Sequence, residues 1–295
     1  MKNKAILTVS LLASLVLAAC GGGGGGSSSA AAPAASSASA PAVASAPAAA
    51  SAPAANTPAV VGEQLPSLSS PQAGSTAATS NGVVGIWSTT SGIAKTTAFI
   101  DPQNNLSFLS GLGTVATSEF FGVIAPSGSA WTLTSGAEFD SFILNTVTSG
   151  SGTFTANQTF NGSYTVGTGT PSIAWTYDPA NALAVSQSTV AGTWAETNSS
   201  ITITSSGAVT GTLSNCPVSG TMLLATAGSS QNLYTLSLTT GTNTSCATPN
   251  VTLSGNAAIV FLPIQSSSLY QRTILYTLHT ANNSAVAYGQ VSPQQ

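Results

Sequence analysis

His279 is the single histidine in a chain of 295 residues, and general base catalysis is the first chemistry to ask of it. Across 269–279 the side chains alternate. Tyr270, Arg272, Ile274, Tyr276 and Leu278 share one face, and Gln271, Thr273, Thr277 and His279 share the other. The imidazole thus belongs to the more polar face of a strand, near its end, with no cysteine or carboxylate placed beside it by any motif. That pattern describes an exposed strand-end histidine. Serines are abundant, but the folded part holds no Gly-x-Ser-x-Gly elbow and no Ser-x-x-Lys pair to activate one. Paired carboxylates are the remaining route. Glu138 and Asp140 share a strand face, with Glu119 a candidate neighbour in space. Acid–base work or calcium binding would require these groups to face a common cleft. A solvated strand face that discourages edge-to-edge pairing is written the same way. No catalytic residue, metal site or cofactor is expected from these side chains.

Charge limits the partners. Only 4% of residues are charged, four Lys or Arg against seven Asp or Glu. Lys2 and Lys4 fall in the leader, which leaves Lys95 and Arg272 as the basic residues of the remaining chain. Such a chain cannot neutralise a row of phosphates, so nucleic acid and a polybasic membrane contact are both disfavoured. Beyond Val83, short runs of Val, Ile, Thr, Phe and Tyr supply the apolar and β-branched surface that disordered chains lack. Phe120, Phe121, Phe139, Phe142 and Phe154 read as core of the first folded half rather than as a binding patch.

The address is written at the N-terminus. Lys2 and Lys4 precede an apolar run over 5–18, too short to span a bilayer and organised as a secretory signal. The next residues, Leu17-Ala18-Ala19-Cys20, resemble the lipobox of bacterial lipoproteins. The resemblance implies that 1–19 is removed and that Cys20, acylated, becomes the first residue, held to a membrane by lipid rather than by a helix. Gly21 stands where enteric lipoproteins retained at the inner membrane carry aspartate, which implies the outer membrane. No residue decides between its periplasmic and external sides. With Cys20 assigned to the anchor, Cys216 and Cys246 remain as an even pair, and in an oxidising compartment a structural disulfide is expected. Two thiols about thirty residues apart, with one histidine, lack the paired-ligand spacing of zinc modules.

Six glycines follow Cys20, then Ser27-Ser28-Ser29, a stretch with no side chains to pack. Ala, Ser and Pro take over, with Ser-Ala-Pro recurring at Ser39-Ala40-Pro41, Ser45-Ala46-Pro47 and Ser51-Ala52-Pro53. Regular prolines break helix and favour extended polyproline geometry. A glycine run followed by such a tether resembles the surface lipoproteins of Gram-negative bacteria. The disordered tether is expected over 20–81, and a coil of about sixty residues spans roughly 40 Å.

From Val83 onward no helical periodicity is sustained, and Gly, Ser, Asn and Pro punctuate short strands. Val83-Val84-Gly85-Ile86-Trp87 recurs as Val190-Ala191-Gly192-Thr193-Trp194, which predicts two β domains, 82–187 and 188–295. In the second, strands are expected at 189–195, 199–204, 208–213, 217–225, 232–239, 250–254, 256–263, 269–279 and 284–291. Short connections make this an antiparallel meander of eight or nine strands that closing into a barrel would free of edges. In the first, strands are expected at 97–100, 106–109, 120–124, 131–133, 139–144, 152–155, 160–164 and 173–177.

Gly192-Thr193-Trp194, then Ile201-Thr202-Ile203-Thr204 and Gly207-Ala208-Val209-Thr210-Gly211-Thr212, resemble the first three strands of avidins, and the Gly-x-Trp opening is shared with lipocalins. The resemblance implies a barrel. It implies no biotin site, since tryptophans from later strands are missing after Trp194. In that superfamily the opening tryptophan often packs under a basic side chain from a late strand, which implies that Arg272 stacks on Trp194, with Glu196 as a carboxylate at its end. The large inward residues lead to a second barrel filled by its own side chains. The tandem arrangement resembles uncharacterised proteobacterial lipoproteins, which implies no activity. The function expected is non-enzymatic display, binding or structure at the cell envelope, with an unidentified protein or small-molecule partner. The alternatives are a small-ligand carrier with a barrel cavity and a cell-envelope enzyme with a cleft of convergent ionisable groups.

Overall fold

A computed structural model describes residues 62–79, 82–112, 115–141 and 143–294. Cys20, the leader and most of the expected tether lie outside the described residues, as does Phe142. Strands β1 (Gly85–Ser91), β2 (Ala94–Ile100), β3 (Asn105–Leu112), β4 (Val115–Ser127), β5 (Ala130–Asp140), β6 (Ile143–Thr155), β7 (Thr159–Val166) and β8 (Ser172–Tyr177) close into one antiparallel barrel. A second closed barrel follows, made of β9 (Gly192–Glu196), β10 (Ser199–Ile203), β11 (Ala208–Leu213), β12 (Cys216–Leu224), β13 (Tyr234–Thr240), β14 (Thr252–Pro263), β15 (Tyr270–His279) and β16 (Val286–Pro293). The molecule is therefore all-β, two eight-stranded meanders in tandem. Turn chemistry fixes the registers. Ser214 and Asn215, both at positive φ, form the two-residue loop that matches the twist of β11 and β12.

Several strands run longer than the sequence reading, with β4 at 115–127 against 120–124 and β6 at 143–155 against 152–155, and three further differences have a local cause. The stretches 250–254 and 256–263 are one strand, β14. Gly255 is not a turn but a point where β15 comes so close that a side chain would collide with the Thr277 carbonyl. Segment 131–133 extends through a bulge opposite Val123 and Ile124 to Asp140, because a bulge sequence resembles a loop. The expected strand 139–144 is a hairpin tip instead, and Ile143 and Leu144 are exposed beyond it.

The repeat is a repeated closure device. Trp87 Nε1 donates to the Val83 carbonyl at 2.9 Å, and Trp194 Nε1 to the Val190 carbonyl at 2.8 Å. Each indole is buried and turns back to bond the chain just before its own strand. The interiors differ. The first holds a connected set of rings, with Trp131 stacked on Phe160 at 4.9 Å, Phe160 on Trp175 at 5.6 Å and Phe108 on Phe120 at 4.8 Å. In the second, Trp194, Tyr234 and Tyr276 pack among Ile201, Leu236, Leu238, Ile274 and Leu278, all buried. Both barrels are filled by their own side chains.

Two buried asparagines lock the connection between barrels, which contains the 3-10 turns Pro179–Ala182 and Gln187–Val190. Asn181 mimics a strand neighbour for Ile86: its Oδ1 accepts from Ile86 N at 2.9 Å and its Nδ2 donates to Ile86 O at 2.6 Å. Asn232 does the same for Ile259, accepting from N at 3.0 Å and donating to O at 2.8 Å, and it also donates to Ala180 O at 3.0 Å.

The expected tether ends earlier than Asn81. Residues 62–79 form a strap held to both barrels. Glu63 exchanges backbone hydrogen bonds with Tyr270, Gln72 binds the connection at Ala182 and Ala184, and Ala77 O accepts from Asn157 Nδ2. Its composition is tether-like, but main-chain groups make most of these bonds and carry no sequence signal.

Cys216 and Cys246 form a disulfide with a Cα separation of 4.6 Å, tying the β11–β12 turn to the long β13–β14 connection. Replacing both by serine is expected to lower stability in urea denaturation by roughly 3 to 4 kcal/mol, the loop-closure value for this span. Asn232→Ala, which leaves buried peptide groups of Ile259 and Ala180 unpaired, is expected to cost roughly 3 kcal/mol in the same measurement.

Candidate functional site

Strands β14 and β15 show why the outer face of the second barrel matters. Alternation would expose every second residue, yet 273–278 are all buried, because the first barrel covers the outward set. At the centre of this seam Thr277 Oγ1 donates to Ser107 Oγ at 2.9 Å, and Asn256 approaches the same hydroxyl at 3.5 Å. Ile86 and Phe99, paired across β1 and β2, point away from their own barrel and join the apolar cluster of the other. Phe121 and Phe139 also point outward, clustering with Val286. The expectation that these two rings belong to the first barrel's interior is thereby corrected: register sets them on the outer face, opposite the inward Phe120 and Glu138.

Two recesses flank the seam. One, of about 380 Å³, is lined by Asp101, Asn105, Ser107, Phe121, Asn256 and His279 among others. The other, of about 410 Å³, is lined by Val115, Glu119, Phe139, Ser141, Val286 and Tyr288 among others. Both fall in the size range of small-molecule sites.

His279 is not the exposed strand end that alternation describes. Its ring packs on Phe121 at a centroid distance of 4.1 Å, and Nδ1 lies 2.6 Å from Asn283 Oδ1 and 3.0 Å from Thr280 O. Both neighbours are acceptors, so Nδ1 carries the proton and Nε2 is left as a lone pair. Burial lowers its pKa, only partly offset by Asn283 and Thr280, which favours this neutral form.

The acidic residues do not converge. Glu119 pairs with Phe139 and faces the seam, while Glu138 and Asp140 face the other side of the sheet. Glu138 accepts from Tyr164 Oη at 2.9 Å inside the first barrel, where burial raises both pKa values. Glu119 is enclosed between the barrels, and no side chain donates a hydrogen bond to either of its oxygens among the described residues. Burial pushes its pKa well above the carboxylate range, only partly offset by a hydrogen bond from the Leu278 backbone, which favours the protonated form. Among the described residues no three His, Cys, Asp or Glu are grouped as a metal site.

Arg272 departs from the stacking that the barrel resemblance implies. Its Nη2 donates to Glu63 Oε2 at 2.8 Å and its Nε to Glu63 Oε1, a bidentate pair between β15 and the strap. Both side chains are about one-third exposed, at 34% and 36%. No ring contact joins Arg272 to Trp194 among the described residues. A carboxylate more than two hundred positions upstream, in a segment read as tether, gives no local signal. Glu196 instead lies beside Tyr276: a side chain at Gly289 would collide with the oxygens of both. Burial pushes Glu196 up to about 7.

Raising the folded pKa of Glu119 above its unfolded value means that the folded chain holds a proton the unfolded chain releases. Stability from this site is thus fully present below the unfolded value near 4.5 and is lost as pH rises toward the folded value. Glu119→Gln is therefore expected to raise the melting temperature relative to the parent at pH 8, with the gain shrinking toward pH 4.5. Thermal melts of both proteins across that range check the sign.

Comparison with protein families, curated proteins and solved structures finds none that matches this chain.

Proposed function

We propose that this chain is a lipoprotein of the outer membrane, anchored through acylated Cys20, that presents its paired barrels on a tether and acts by binding rather than catalysis. Leu17-Ala18-Ala19-Cys20, placed directly after a short apolar leader and directly before a glycine run, carries the reading. The filled interiors favour recognition at outer surfaces and in the seam recesses over a ligand held inside a barrel. The scattered carboxylates, and a His279 whose Nδ1 is engaged by Asn283 and Thr280, favour binding over acid–base chemistry.

Cys20→Ser is expected to leave the protein soluble or unprocessed in cell fractionation, while the parent stays with the membranes. Mass spectrometry of the parent should find Cys20 at the mature N-terminus carrying acyl chains. An unmodified N-terminus at another residue would refute the anchor.

A further inference from the structure

Up-and-down connectivity places every second hairpin turn at the same end of a barrel. In the first barrel the β1–β2, β3–β4 and β5–β6 connections therefore share one end. There the chain exposes large apolar side chains: Ile93 at 74%, Leu112 at 50%, Val115 at 63%, Ile143 at 61% and Leu144 at 38%. Chance scatter over the surface would not gather them on three neighbouring tips. The apolar recess of the seam opens beside them, with Val115 and Ser141 in its lining.

We propose that this end of the first barrel is a membrane-contacting rim, whose hairpin tips insert into the interfacial layer of an uncharged lipid surface. A protein partner would require one contiguous, complementary patch. Separate aliphatic tips around a barrel mouth fit a fluid solvent, which closes around each of them without shape matching. Charge agrees with an uncharged rather than an anionic surface, because no basic cluster stands at the tips and the exposed Asp140 sits at the base of the β5–β6 tip, opposite Ile143. Lys95, exposed on β2 behind Ile93, has the reach to place its ammonium at headgroup level. The chain outside the structure points to the same occupant. Resting on the Cys20 anchor proposed above, only residues 21–61 stand between the bilayer and Gly62. The rim is then never more than a tether length from lipid, so weak insertion suffices to lay the unit against the membrane.

The test uses the mature chain carrying Cys20→Ser, which has no acyl group, with sucrose-loaded phosphatidylcholine vesicles. The chain is expected to sediment with the vesicles at millimolar lipid and to do so equally in high salt. Combining Ile93→Asn and Ile143→Asn should weaken the partition by roughly tenfold or more. Leu223→Asn, an exposed apolar position on β12 of the other barrel, should leave it unchanged. Because all three positions are solvent-exposed, melting curves should coincide and separate lost binding from lost fold. A chain that stays in the supernatant, or a double variant that binds like its parent, overturns the rim. So does a lipid-free dimer abolished by the same double variant, which would assign the surface to a second copy. Since no acyl chain is present, these outcomes are independent of whether Cys20 is lipidated in cells.

Discussion

Two side-chain amides carry the arrangement on which everything else depends. A closed barrel satisfies its own backbone, but the chain leaving it must cross to the next barrel through a region that both bury. Asn181 and Asn232 supply donor and acceptor together, at fixed spacing, to one residue of each barrel. An apolar residue there would leave peptide groups of Ile86 and Ile259 unpaired in a dry interface. With the connection fixed, the outer face of one meander becomes a wall for the other.

That wall changes the meaning of ordinary strand residues. Thr277 and Asn256 would be surface groups on an isolated barrel, and here they converge on Ser107. Glu119 would be a solvated carboxylate, and here its desolvation raises its pKa and favours the protonated form. The same burial lowers the pKa of His279, and Asn283 fixes its tautomer. Docking of two preformed outer faces, more than any motif, sets the electrostatics of the recesses.

The two barrels share an opening but not a filling. The Gly-x-Trp closure recurs with the same indole-to-carbonyl bond four residues back. Behind it, one interior is a network of aromatic rings and the other is mainly aliphatic. Closure geometry constrains one tryptophan per barrel, whereas interior volume can be met by many combinations of side chains. This is why the repeat was visible at five residues and nowhere else.

Alternation, β-branched runs and turn residues determined by themselves that the chain is all-β, tandem and barrel-forming, because each is a local property of a strand or a turn. The even cysteine pair likewise pointed to the Cys216–Cys246 bond. Local reading failed wherever a distant segment supplied the environment. Glu63 reaches Arg272 from a stretch with the composition of a linker, Gly255 continues a strand because a neighbour presses on it, and Phe121 meets His279, and Phe139 meets Val286, only across the seam. Parity says which residues share a face but not what covers that face. The covering is decided by how two closed sheets pack, and only the tertiary structure holds that information.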